Sequence, residues 1–199
     1  MENIDPFLWA FDIDGVVADT MAVFLDLARD RFGFTHLTRD HLRSYDLYQC
    51  LDIDKEAIDE LICLTLDDEH TRILPPIPGA PGVLTELAEY APLRFVTARI
   101  WPESIIAWLH DTLSGVAPER IHVTATGDPD AKLKILKDLD VIHFVDDRLE
   151  TCEALSRFGI RPVLFDQPWN RVSAPISFPR VENWAHLRQL VLPIDSGLR

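Results

Sequence analysis

Short apolar runs near residues 7–11, 93–97, 121–124, 141–145 and 162–165 alternate with stretches of helical periodicity near 80–91, 102–114, 131–139, 149–158 and 182–191. Strands buried on both faces read as continuous apolar runs, and helices between them act as crossovers. The pattern therefore predicts an α/β fold, a parallel sheet flanked by helices. Ligands of such sheets bind beyond the carboxyl ends of the strands. Polar residues directly after each apolar run are thus the first candidates for chemistry.

The first run, Phe7 to Phe11, leads straight into Asp12-Ile13-Asp14-Gly15. Two carboxylates two residues apart share a face of an extended chain, so one can attack while the other handles a proton. Alone, the pattern equally fits a strand-ending turn or a calcium-loop fragment. The second run ends in Thr97-Ala98-Arg99, Lys132 opens an amphipathic segment, and fourteen residues later Val141 to Val145 runs into Asp146-Asp147-Arg148. Each has an ordinary reading: a helix cap, a solvated helix face, a strand-terminating turn. Together they bring two acids, a hydroxyl, an ammonium and a further acid pair to strand ends or helix starts.

In order and spacing, Asp12-x-Asp14-Gly15, Thr97, Lys132 and Asp146-Asp147 resemble the four motifs of the haloacid dehalogenase-like hydrolase superfamily. Within it the chain is most similar to the bacterial 5'-nucleotidase group related to cytosolic and mitochondrial 5'(3')-deoxyribonucleotidases. The stretches DIDGVVAD (12–19), LPPIPGAPG (74–82), VTAR (96–99), FVDDR (144–148) and FDQPWN (165–170), with Trp184, carry that likeness. The resemblance implies a Rossmann-like core with a small helical cap inserted after the first strand. It implies Asp12 as nucleophile, forming an aspartyl-phosphate, and Asp14 as general acid and base. Thr97, Ala98 and Lys132 would bind the phosphate. Mg2+ would be held by Asp12, the backbone carbonyl of Asp14 and the Asp146-Asp147 pair, Asp146 being the favoured direct ligand.

Within the superfamily that the chain resembles, an aspartate at position 14 suits phosphatases and phosphotransferases, which must protonate an alkoxide leaving group. The expected activity is a phosphomonoesterase, with nucleoside or deoxynucleoside 5'-monophosphates as substrates. Sugar phosphates or other small phosphorylated metabolites are the alternative, and a non-catalytic phospho-ligand binding protein is the alternative from another class.

Other chemistries lack an anchor. Cys50, Cys63 and Cys152 are odd in number with no C-x-x-C spacing, so free thiols, buried or partly buried, are expected instead of a zinc ribbon or disulfide framework. No His-Glu-x-x-His, G-x-S-x-G, G-x-G-x-x-G or Walker loop occurs. A net charge of −14 argues against a nucleic-acid polymer or an anionic membrane as partner, because either needs a basic patch. A small phosphorylated substrate remains compatible if a divalent cation offsets the field. No 18-residue apolar run exists and the acidic start, Met1 to Asp5, is unlike a secretory signal, so a cytoplasmic protein is expected. Nothing in the sequence sets the oligomeric state.

The domain reading is a core of residues 1–17 and 76–199 with an insertion over 18–75. Met21, Leu25, Ala28 and Phe32 recur at helical spacing, as do Ile58, Leu61, Ile62 and Leu66, so the insertion is expected to hold two or more helices. Leu74-Pro75-Pro76-Ile77-Pro78-Gly79 is its stiff return, and Ser196 to Arg199 reads as a loose tail. Phe24, Phe32, Phe34, Tyr45 and Tyr48, with Trp101 from the core side, are candidates to stack a base. Phe24, off the Met21-Leu25-Ala28 line, leads as a substrate contact, whereas Phe32 continues that line as packing. Arg99 is a second expected substrate contact, and Arg148 a weaker one. A sugar phosphate would instead call on Arg39, His41 or Arg43.

Overall fold

The computed structural model describes residues 5–192; the start of the chain before Asp5 and the tail at Ser196–Arg199 lie outside them. Six parallel strands form one sheet among the described residues, in the order β3-β2-β1-β4-β5-β6. They are β1 Trp9–Phe11, β2 Leu93–Thr97, β3 Ile121–Ala125, β4 His143–Asp146, β5 Arg161–Phe165 and β6 Arg180–Val181. β1 lies between β2 and β4, pairing Phe11 with Phe95 on one side and Phe11 with Val145 on the other. The connections thus diverge at β1, and its carboxyl end opens into the crevice that such a switch point creates.

The three residues of β1 are all buried because both faces are covered. Trp9 and Phe11 point into the larger hydrophobic cluster, shared with helices α4 Ala80–Leu87, α5 Glu103–Thr112 and α8 Trp184–Val191. Ala10 and Phe144 face the smaller one, shared with α6 Lys132–Asp138 and α7 Leu149–Arg157. This two-residue alternation puts helices on both sides of the sheet. β6 was not legible in the apolar runs: two residues, Arg180 and Val181, complete the edge beside Leu164 and Phe165.

Between β1 and α4 come α1 Thr20–Asp30, α2 Lys55–Thr65 and the short α3 Asp68–Thr71. Asp19 caps α1, its carboxylate accepting from the Ala22 N–H at 3.2 Å. The segments entering and leaving this stretch run side by side. Asp19 N–H donates to the Pro75 carbonyl at 2.8 Å and Ile77 N–H to the Val17 carbonyl at 2.7 Å. Trp108 Nε1 ties the return to α5 through the Leu74 carbonyl at 2.8 Å. Cys50 is partly buried and Cys152 buried, as expected for free thiols, but Cys63 is exposed on α2. No helix among the described residues is long and apolar enough to cross a membrane.

Candidate active site

Each acid of the sequence pattern sits where an apolar run stops being sheet. Asp12 follows β1, its N–H still bonded to the Val145 carbonyl at 2.8 Å, while Asp146 closes β4 and Asp147 follows it. Asp12, Asp146 and Asp147 are all buried, and each offers a carboxylate oxygen within 4.8 Å of the others. Lys132, at the start of α6, reaches between them: Nζ lies 3.0 Å from Asp12 Oδ1 and 2.8 Å from Asp146 Oδ2. Burial alone would discharge this lysine, yet the Asp12 and Asp146 carboxylates hold it protonated well above its ordinary range.

One ammonium does not balance three acids. Burial pushes the Asp12 carboxyl up to about 7, with Lys132 pulling it back and Asp146 and Asp14 adding to the rise. Burial, then the Asp146 and Asp12 charges, likewise drive Asp147 far above the carboxylate range. Three buried carboxyl groups short of positive charge form a donor set for a hard, oxygen-seeking cation such as Mg2+. The residues present fit that group.

Asp14 sits differently. Arg99 donates from Nε to Oδ2 at 3.0 Å and from Nη2 to Oδ1 at 2.9 Å, and the Thr20 hydroxyl donates to Oδ1 at 2.6 Å. Burial raises the Asp14 carboxyl, but Arg99 and Thr20 outweigh it and bring it below its ordinary value. The Arg99 Nη1 is taken by the Thr71 hydroxyl at 2.6 Å, so this guanidinium, expected to touch substrate, spends its donors on Asp14 and on the end of α3.

Thr97 is wholly buried at the end of β2, where its hydroxyl accepts from the Arg99 N–H at 3.2 Å; Ala98 and Arg99 reach the cavity. The Asp146 oxygens are taken by Lys132 and by the Arg148 N–H, at 2.8 Å each. Asp147 instead lines the cavity together with Asp12, Asp14 and Lys132. Gly15 makes this crowding possible: its φ is +76°, and a Cβ there would fall 2.2 Å from Asp147 Oδ2.

The cavity above these groups measures about 400 Å³. Its far walls are Met21, Tyr45, Leu47, Tyr48, Ile62 and Leu66, all from the stretch between β1 and α4, with Trp169 from the core. Two of the aromatic candidates, Tyr45 and Tyr48, are therefore in place. Phe24 is not: its ring is 0% exposed in the hydrophobic core, on the buried face of α1 with Thr20, Val23, Leu27 and Ala28. The expectation that Phe24 contacts substrate is corrected, because the buried stripe of α1 runs through it and leaves Met21 facing the cavity. Phe32 and Phe34 stack on each other at 6.0 Å, and Trp101 is 76% exposed outside the cavity.

Arg148 pairs with Asp130 at 3.0 Å and lies 5.1 Å from the centre of the Tyr45 ring. Sequence reasoning gave no role to the FDQPWN stretch, although three of its side chains brace the site. Gln167 Nε2 donates to the Gly15 carbonyl at 2.7 Å, Trp169 Nε1 to Asp147 Oδ2 at 2.8 Å, and Asn170 Nδ2 to the Asp147 carbonyl at 2.7 Å. Amide and indole donors following a strand end were the available signal.

A family model described as "5' nucleotidase, deoxy (Pyrimidine), cytosolic type C protein" matches residues 7–195. The chain is 25% identical to a Halalkalibacterium halodurans protein named "Putative nucleotidase BH1399", over 92% of this chain and 91% of that one. Its fold is similar to that of a haloacid dehalogenase-superfamily hydrolase from Geobacter sulfurreducens, with a TM-score of 0.57, 18% identity and coverage of 96% and 99%. A second such hydrolase, from Ehrlichia chaffeensis, superposes with a TM-score of 0.55 at 15% identity, covering 96% of this chain and 97% of that one.

Proposed function

This chain belongs to the 5' nucleotidase, deoxy (pyrimidine), cytosolic type C family of haloacid dehalogenase-like hydrolases, and on that premise we propose a magnesium-dependent phosphomonoesterase acting on nucleoside or deoxynucleoside 5'-monophosphates. One observation carries the reading: a single cavity has buried carboxylates and a lysine at one end and aromatic walls at the other.

In the proposed reaction the Asp12 carboxylate attacks phosphorus and the bond to the nucleoside oxygen breaks, leaving phosphate on Asp12. Asp14, ionised beside Arg99, takes up a proton from solvent as the substrate phosphate brings negative charge next to it, passes that proton to the departing oxygen, and recovers one from the water that cleaves the aspartyl-phosphate. Arg99 and Thr20 fix the plane of the Asp14 carboxylate. Lys132 and the Thr97–Ala98 turn hold the non-bridging oxygens. Asp12, Asp146, Asp147 and the Asp14 carbonyl would hold Mg2+, which supplies charge neutralisation between the acids and a phosphate dianion.

Residues 18–75 serve as a cap in this proposal, hinged where Asp19 and Ile77 bond to Pro75 and Val17. The side chains a sugar phosphate would need are engaged elsewhere. Arg39 donates to Asp19 and Gln167, Arg43 to the Asp40 carbonyl, and His41 meets the Thr38 backbone. That supports a base-bearing substrate. A cytoplasmic setting accords with the family's description as a cytosolic type, and the lack of a nucleic-acid polymer as partner accords with the net charge of −14. The test is a turnover panel of nucleoside monophosphates against hexose phosphates, run with magnesium and after chelation. Nucleotides should lead by roughly tenfold or more in kcat/KM, and chelation should abolish turnover. Preference for hexose phosphates, or full activity in metal-stripped protein, would overturn the proposal.

A further inference from the structure

Trp169 belongs to both ends of the site. Its indole N–H donates to Asp147 Oδ2 at 2.8 Å, and the same side chain lines the cavity. Asn170 grips the same aspartate by its carbonyl and also bonds the Phe165 carbonyl at 2.8 Å, which pins the loop to the end of β5. From the other side, the Arg39 guanidinium lies 5.8 Å from the indole ring centre while its Nη2 bonds Gln167 at 2.8 Å. The ring is therefore held in position by both the core and the insertion.

Donors on the outer oxygen of a cation-binding carboxylate fix its orientation, and a flat ring facing a cavity favours a flat ligand. We propose that Trp169 is a positioning residue for Asp147 and at the same time the wall that selects planar, base-bearing phosphate esters. The proposal rests on the nucleotidase reading above. One residue then ties cation affinity to substrate choice, through two parts of the side chain that substitution can separate.

Trp169→Phe removes the N–H and keeps a ring; Trp169→Leu removes both. Mn2+ binding, followed by electron paramagnetic resonance without substrate, should weaken about tenfold or more in both variants. The kcat/KM ratio of a nucleoside monophosphate to a hexose phosphate, at saturating magnesium, should stay within about twofold of wild type in Trp169→Phe and fall roughly tenfold in Trp169→Leu. Undiminished Mn2+ affinity in Trp169→Phe would overturn the positioning role. An unchanged ratio in Trp169→Leu would overturn the selecting role. Should the leucine variant not fold, Trp169→His supplies that arm, keeping a ring N–H on a smaller ring: cation binding retained with the ratio reduced supports the proposal, and the reverse overturns it. Failure of the nucleotidase reading looks different, because wild-type protein would itself favour the hexose phosphate; that result overturns both.

Discussion

At one end of the cavity Asp12, Lys132, Asp146 and Asp147 are at most 6% exposed, whereas at the other Tyr45 and Tyr48 remain 47% and 43% exposed. The first end is held by partners far apart in the chain: Arg99 reaches Asp14 across 85 residues and Gln167 reaches Gly15 across 152. The second is organised locally around Tyr48. Asp46 accepts from the Tyr48 N–H and Gln49, and the Tyr48 hydroxyl donates to Asp59. Buried charges must be paired or neutralised together, so the reacting end tolerates little change at any one position. The exposed tyrosines hydrogen-bond to none of the buried acids, so on the proposed reading specificity is adjustable at Tyr45 and Tyr48 without disturbing the chemistry, whereas Trp169 couples the two ends.

Asp12→Asn should break the comparison most severely, because an amide cannot attack phosphorus: turnover and phosphate trapped after rapid quench should both vanish. The same variant exposes the strain. With its carboxyl pushed up to about 7 in the fold against about 3.9 in the unfolded chain, Asp12 is bound to its proton more tightly when folded. Its contribution to stability is therefore complete below about pH 4 and lost as pH rises towards 7. In metal-stripped protein, urea melts should show Asp12→Asn gaining about 2–3 kcal/mol on wild type between pH 5 and 7. A flat difference would mean that the acid cluster is not strained.

Phe24→Ala should cost about 3–5 kcal/mol of stability by opening a cavity in the core. Where the variant is still folded, the ratio of nucleotide to hexose-phosphate turnover should be unchanged; a selective loss of nucleotide turnover would put Phe24 back at the substrate. Lys132→Ala should remove roughly 2–4 kcal/mol of transition-state stabilisation, read from kcat/KM. Lys134→Ala, at an exposed position on the same helix, should do little. Among the cavity residues, Tyr45→Leu carries the smallest effect: about 1 kcal/mol on nucleotide kcat/KM, with melting temperature nearly unchanged. An equal loss on hexose phosphates would make Tyr45 structural.

The reacting end was legible because its chemistry dictates residue type and its fold dictates place. The proposed chemistry asks for an acid, a hydroxyl, an ammonium and an acid, and Asp12, Thr97, Lys132 and Asp146 each fall at a strand end or helix start where apolar periodicity breaks. The recognition end offers no such constraint. Helical spacing located α1 and α2 but left the facing of each side chain open. Reading the stripe through Met21 and Leu25 turned the buried face of α1 by about one position, which promoted Phe24 and hid Met21. Trp169 and Gln167 act from an irregular loop, where neither period 2 nor period 3.6 applies. β6 is too short for any pattern.

The Gly15 turn has a further consequence, for the order in which the protein assembles. The segment that carries Asp12, the proposed nucleophile, precedes two of the donors that brace its turn: Gln167 bonds the Gly15 carbonyl and Trp184 Nε1 the Val16 carbonyl at 2.8 Å, across 152 and 168 residues. Contacts this distant form late, after the intervening loops have closed. On a ribosome, where the N-terminal part emerges first, the Gly15 turn would lack its Gln167 and Trp184 braces until the last strands and α8 docked. A nascent chain would then already contain all four motifs while its reacting loop was still unshaped, and competence would arrive in one step with the final quarter of the polypeptide.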